Sequence, residues 1–366
     1  MISSAREIKE KETRVRNFLK SSKLDALALV NSSNFAWLTG GADNSVLWSL
    51  DMGFAVAVVT PQDKMIVTRN NEAPRIMDEQ VYGQDFKLIQ IPWTEDLISA
   101  LKEKVKGKIG IDLPVNGLYQ IPLEKMRKLR LPLIPEEVER YRKLCMDTAR
   151  AITETCKEVE IGFTEYKIAS IISQKLIEKN IIPEVVFVGT DFRIYKYRHP
   201  VPTEKKLDRY AMLALVAKRC GLHVTMSREL HFGEVPKDLL SKYYDVAKIM
   251  HRFQKLSKPG MKFGELAKEI IDYENKLGHK GEWDKHWPGG PTGYEIREFD
   301  IVPGIEQEIV AGQAVGWNPT LEGVKLENTL FVGRDSTEVL TRDEEWPLLE
   351  LDVDEGKIYM EDIFRR

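Results

Sequence analysis

The sequence has few of the features that commit a chain early to a function class. Only three cysteines occur in 366 residues. Cys145, Cys156 and Cys220 form no C-x-x-C pair, so neither a zinc cluster nor a disulfide framework is expected, and a reducing, cytoplasmic setting fits. No uninterrupted apolar run reaches the roughly 18 residues a membrane span needs. The opening "MISSAREIKEKETRVRNFLK" is charged throughout and has no apolar core, so no signal peptide is expected. Neither sign of charge dominates: 54 Lys and Arg against 57 Asp and Glu leave a net charge of -3, which gives no field for gathering nucleic acid. What is present is an ordinary globular composition, 43% hydrophobic and 30% charged, at a length that favours two domains.

The N-terminal part alternates helical and strand patterns. "REIKEKETRVRNFLKSS" carries apolar residues at helical spacing, and "LDALALV" reads as a buried strand. "GFAVAVVT" and "KMIVTR" read as strands joined by the turn "PQDK", and "DLISALKEKVKG" as a helix ending at Gly107 before the strand "KIGID". Together these describe an α/β unit around a central sheet. Pro132 and Pro135 then break the chain. Pro135, Glu136 and Glu137 form a helix start with acids at the positive end. The expected domains are residues 1–131 and 132–366.

Past that boundary "IGFTEYKIASIISQKL" (161–176) and "KPGMKFGELAKEIIDYENKL" (258–277) echo each other, each leading into a strand-rich segment. The echo predicts a C-terminal domain of two similar α/β halves. In "ALVAKRCGLHVTMSR" (214–228) the spacing predicts a strand, a tight turn at Gly221 and a second strand.

Several segments now carry a resemblance. "LDALALVNSSNFAWLTGG", "HPVP" (199–202), "KPGM" (258–261), "GGPTGYEIRE" (289–298), "GQAVGWNP" (312–319) and "VKLENTLFVG" (324–333) stand in the order and spacing of the pita-bread-fold peptidases, the Xaa-Pro dipeptidases, Xaa-Pro aminopeptidases, methionine aminopeptidases and creatinase. The likeness spans nearly the whole chain. It implies an N-terminal creatinase-like α/β domain followed by a pita-bread domain of two similar halves around a curved antiparallel sheet. It also implies a dinuclear Mn, Co or Zn centre held by two Asp, one His and two Glu, and a homodimer.

Carried across, those five ligand positions fall on Ala214, Thr225, Gly290, Asn318 and Glu327. Only Glu327 is a carboxylate, and one carboxylate does not hold two divalent cations. No metal ligand and no cofactor is therefore assigned, although the resemblance implies the metal pair.

The remaining residues suggest other chemistry. His199 matches the family's substrate-side histidine and offers a general acid or base near neutral pH; it also reads as a surface histidine before a Pro-rich turn. Arg297 and Glu298 fall on a His-Glu pair of the family. They read either as a clamp for an anionic group beside a catalytic carboxylate or as a salt-bridged strand end. Glu327 reads as a bare catalytic carboxylate or as a buried acid paired with Arg228. Asn318, His223, Thr225 and Tyr294 are the remaining candidate substrate contacts. His223 and Thr225 share a face because they are two apart on a strand.

The leading expectation is a metal-independent hydrolase of a small amide, amidine or dipeptide-like substrate, with His199, Glu298 and Glu327 as its catalytic residues. A non-catalytic binding protein on the same fold is the second reading, and an Xaa-Pro peptidase with relocated ligands the third. The expected partner is a small molecule or short peptide, with no nucleic acid and no membrane.

Overall fold

The computed structural model describes residues 4–354 and 356–366. The chain divides into two compact units, Met1–Val138 with Cys220–Leu222, and Glu139–Arg219 with His223–Arg366.

The first unit opens with the helix Ala5–Ser22. The Ser4 hydroxyl accepts the Glu7 amide at 3.1 Å, satisfying one of the amides a helix start leaves free. Ile8, Val15 and Leu19 form its buried stripe. A six-stranded sheet follows, built from β1 (Ala26–Asn31), β2 (Met52–Val59), β3 (Lys64–Arg69), β4 (Lys87–Ile91), β5 (Ile109–Ile111) and β6 (Tyr119–Gln120) in the order β4-β3-β2-β1-β5-β6. β1 pairs antiparallel with β2 and parallel with β5. A strand enclosed on both edges and both faces needs a continuous apolar run, which "ALALV" supplies. Asp112, just past β5, accepts the amides of Val30 and Asn31 and the side-chain amide of Asn34. The expected helix before "KIGID" is observed as Leu97–Lys104, three residues short of Gly107, because Val105 already has extended backbone.

The second unit repeats one plan twice. Helices Pro135–Glu158 and Glu165–Ile177 precede β7 (Ile182–Thr190), β8 (Tyr210–Arg219) and β9 (Leu222–His231). Helices Lys237–Leu256 and Phe263–Lys276 precede β10 (Gly289–Thr292) and β11 (Gln313–Trp317). After the two-residue strands β12 (Thr320–Leu321) and β13 (Val324–Lys325) come β14 (Asn328–Val332) and β15 (Thr337–Val339). Cys220 (φ 54°) and Gly221 (φ 77°) turn β8 into β9, the left-handed pair that a two-residue hairpin requires.

One four-stranded sheet runs β10-β11-β14-β15. The other runs β18-β9-β8-β7 and includes the tail. β16 (Leu348–Val353) and β17 (Gly356–Glu361) form a hairpin, and β18 (Phe364–Arg365) then pairs parallel with β9, covering its free edge. The C-terminal segment is thus a strand of the sheet.

The two sheets meet where Ser227 bridges Glu327. Beside this bridge, Thr225 N donates to Thr329 Oγ1 at 3.1 Å, and Thr329 Oγ1 donates back to Thr225 O at 2.8 Å. Buried Arg228 donates to the Ser227, Glu327 and Thr341 carbonyls and to Asn328 Oδ1. It therefore holds Glu327 by its backbone and leaves the carboxylate to point elsewhere. Behind the sheets, Phe253 stacks on Trp317 at 4.5 Å, and Trp317 Nε1 donates to Ser257 Oγ. Among the described residues no helix is long and apolar enough to cross a membrane.

Candidate functional site

The second unit contains a cavity of about 230 Å³ at the junction of its two sheets. β7 contributes Val185 and Phe187, and β8 contributes Ala214, Leu215 and Val216. Arg297, Asn318, Lys325 and Glu327 line the side formed by the second half, with His199, Trp287 and Ile296 completing the wall.

Five residues singled out in the sequence meet there: His199, Ala214, Arg297, Asn318 and Glu327. The other candidates lie outside the wall. His223 is buried, with its Nε2 3.0 Å from Glu184 and its Nδ1 3.2 Å from Gly293 O, so both ring nitrogens have partners. Thr225 is fully buried behind the wall, and its Oγ1 has no hydrogen-bond partner. Tyr294 is buried at 1% exposure. Glu298 is partly buried, and its amide donates to Pro291 O. At Gly290 an added Cβ would meet Ile301 at 3.0 Å, so that position faces the core.

Glu327 is not bare. Arg297 Nη2 stands 3.3 Å from its Oε1 and Lys325 Nζ 3.8 Å from its Oε2. The alternative partner, Arg228, approaches the carboxylate of Glu361 instead, at 4.0 Å. Arg297 reaches Glu327 because residue 316 is glycine. A Cβ there would lie 2.5 Å from Thr225 Oγ1 and 3.2 Å from Arg297 Nη1.

The charges around the cavity follow from burial. Burial lowers the Lys325 pKa, Glu327 opposes the shift, and Arg297 adds to it. Burial also lowers Arg297, which stays protonated because a guanidinium begins far above neutral pH. His199 stands exposed at the mouth, stacked on Phe187 with ring centres 4.9 Å apart. Partial burial, and then Lys325, hold its pKa below the usual range. His286 meets His199 edge-on at 5.1 Å, and its Nε2 has no partner. Burial, Lys325 and His199 depress its pKa to about 2. Behind the wall, Glu229 Oε1 accepts the Lys325 amide at 2.7 Å, and burial raises its carboxyl pKa to about 8. At neutral pH the cavity wall therefore carries two cations, one carboxylate and the neutral His199 imidazole, with neutral His286 packed against it.

Lys325, His286 and Phe187 were missed in the sequence. Lys325 had a usable signal, since it lies two residues before Glu327 and extended backbone puts such residues on one face. The other two are brought in by strand pairing and ring packing, which leave no mark at short range.

This donor set does not suit a pair of divalent cations. Hard metals need several oxygen ligands, whereas the one carboxylate here already faces two fixed cations. Among the described residues no group of three or more His, Cys, Asp and Glu converges on one point.

Comparison with known proteins places the architecture. Residues 139–334 match the family model described as Metallopeptidase family M24, and residues 12–142 match the Creatinase/Prolidase N-terminal domain. No curated protein matches the chain. Among solved structures, the prolidase from Pyrococcus horikoshii OT3 superposes with a TM-score of 0.76 at 17% identity, covering 92% of this chain and 99% of its own. The Xaa-Pro dipeptidase from Bacillus anthracis gives 0.75 at 18%, covering 98% and 100%. The N-terminal domain of the FACT complex subunit SPT16 from Cicer arietinum gives 0.65 at 14%, covering 92% and 96%. At these identities the likeness carries the fold alone. The fold occurs both in proteins described as peptidases and in a subunit of a larger complex.

Proposed function

Given that the chain belongs to metallopeptidase family M24, we propose that it is a member whose pocket works without a metal pair and binds a small organic ligand through fixed side-chain charges. One observation carries this reading: Glu327, the only carboxylate lining the cavity among the described residues, is held between Arg297 and Lys325. Two side-chain cations beside that carboxylate oppose metal entry by like-charge repulsion.

A metal-independent hydrolase is the second reading, and His199 favours it. Its imidazole is neutral, exposed at the mouth and fixed by the Phe187 stack, which suits a group that takes a proton from an incoming water. In this reading Arg297, Lys325 and Asn318 hold the substrate, and Glu327 orients it.

The test is to treat the protein with chelator, measure residual metal, and screen it by thermal shift against small carboxylates, amides and guanidines. Xaa-Pro dipeptides and small amides would be assayed for turnover in parallel. Ligand stabilisation without metal supports the proposal. Two tightly held equivalents of Mn, Co or Zn, or binding that appears only after metal is restored, would overturn it. Turnover that survives chelation and is lost in His199→Ala selects the hydrolase reading.

A further inference from the structure

Resting on that reading, we infer that the cavity is a carboxylate site in which Lys325 and Arg297 hold the anionic group of a small, largely apolar organic acid. Phe187 and Trp287 flank the body of that ligand.

Lys325 is 3% exposed and lines the cavity, yet among the described residues its Nζ makes no hydrogen bond. Glu327 Oε2 stands 3.8 Å away, beyond hydrogen-bond reach. Three N–H groups thus face a mostly apolar wall, where an unmade hydrogen bond is costly. Arg297 is little better served, with Nη1 on Ile296 O at 2.8 Å and Nη2 on Glu327 at 3.3 Å. Charge-assisted bonds of this kind usually close to about 2.7–2.9 Å. Glu327 is stretched between two cations and fully satisfies neither.

The charge balance selects the ligand. Arg297 and Lys325 against Glu327 leave one net positive charge on the wall, with His199 and His286 neutral beside it. Behind the wall, Glu229 Oε1 accepts the Lys325 amide, and burial keeps that carboxyl protonated at neutral pH, so it adds no counter-charge. A monoanion restores neutrality. A dianion such as a phosphate monoester would leave a charge uncompensated among apolar residues, and a guanidinium or ammonium ligand would meet two like charges. A second polar point also exists: buried Asn318 lines the cavity, and its Oδ1 has no partner. A ligand N–H or O–H next to the carboxylate would fill it. The class is therefore a 2-hydroxy or 2-acylamino acid with an apolar body, in a space of about 230 Å³.

The experiment is titration calorimetry on chelator-treated full-length protein with mandelate, N-acetylphenylalanine and phenylacetate. Phenylacetamide and phenylguanidine serve as neutral and cationic counterparts. The carboxylates should bind and the counterparts should not. Lys325→Met should weaken binding about tenfold or more, the scale of one lost charge-assisted bond, and Lys325→Arg should retain most of it. Thermal unfolding of both variants separates lost binding from lost folding. Binding of the amide or the guanidine without the acids would overturn the carboxylate inference and leave the metal-free pocket standing. Carboxylate binding unchanged in a folded Lys325→Met would also overturn it. Acids that bind only when Mn or Co is supplied would overturn the metal-free reading instead.

Discussion

Arg297 Nη2 and Lys325 Nζ approach opposite oxygens of one carboxylate, Glu327, at 3.3 and 3.8 Å. Removing the anion therefore differs from removing either cation. Glu327→Gln leaves two buried cations with no counter-charge and should cost about 2–4 kcal/mol, whereas Arg297→Met leaves a balanced Lys325–Glu327 pair and should cost about 1 kcal/mol. Urea unfolding of the two variants checks the order. Equal losses would mean that the charges are not shared as described.

Gly316 carries the same arrangement from behind. A Cβ there would lie 2.5 Å from Thr225 Oγ1 and 3.2 Å from Arg297 Nη1. Thr225 is fully buried and has nowhere to turn, so Gly316→Ala should destabilise by about 1–3 kcal/mol through overpacking. It should also displace Arg297. Thermal unfolding together with ligand titration reads both effects.

Three buried carboxyls should each contribute less stability as pH rises from about 4 towards the folded pKa. Burial raises the carboxyl pKa values of Asp112 to about 6, Glu274 to about 7 and Glu229 to about 8. A raised carboxyl pKa means that the folded state keeps a proton which the unfolded chain has released. The contribution is whole below the ordinary carboxylate range and gone once pH passes the folded value. Glu229→Gln should flatten the decline up to about pH 8, as measured by the unfolding midpoint across pH. An unchanged slope would show that Glu229 is ionised in the fold.

His286 acts in the opposite direction. Its pKa is depressed to about 2, so between about 2 and 6.5 the unfolded chain binds a proton that the folded chain refuses. The His286 contribution should fall with acidification below pH 6.5, and His286→Gln should remove that part of the pH dependence. The same pH series on this variant provides the check.

Glu165 anchors the segment that carries His199. Its Oε1 accepts from Thr190 N, Thr190 Oγ1 and Arg193 Nε, and its Oε2 accepts from Thr203 N and Thr203 Oγ1, all within 3.0 Å. Glu165→Ala should cost about 3 kcal/mol or more, because it strands several buried donors at once. It should also expose residues 191–203 to protease before global unfolding, which limited proteolysis would reveal.

Local sequence signals account for most of the architecture. Apolar runs such as "ALALV", the Pro135 helix start, the Cys220-Gly221 turn and the echo of 161–176 in 258–277 are short-range signals. Backbone geometry and burial act on them locally, so the elements appear where the spacing puts them. The sequence also located part of the pocket, since His199, Arg297, Asn318 and Glu327 were found through segments in family order. Tertiary structure alone decided how those groups are used. That Glu327 is shared between Arg297 and Lys325, that His223 turns to Glu184, and that Phe187 stacks on His199 all depend on strands far apart in the chain meeting in one register. A charge reads the same in a sequence wherever its partner lies; what it can do is fixed only by the distance to that partner and by how much water is left between them.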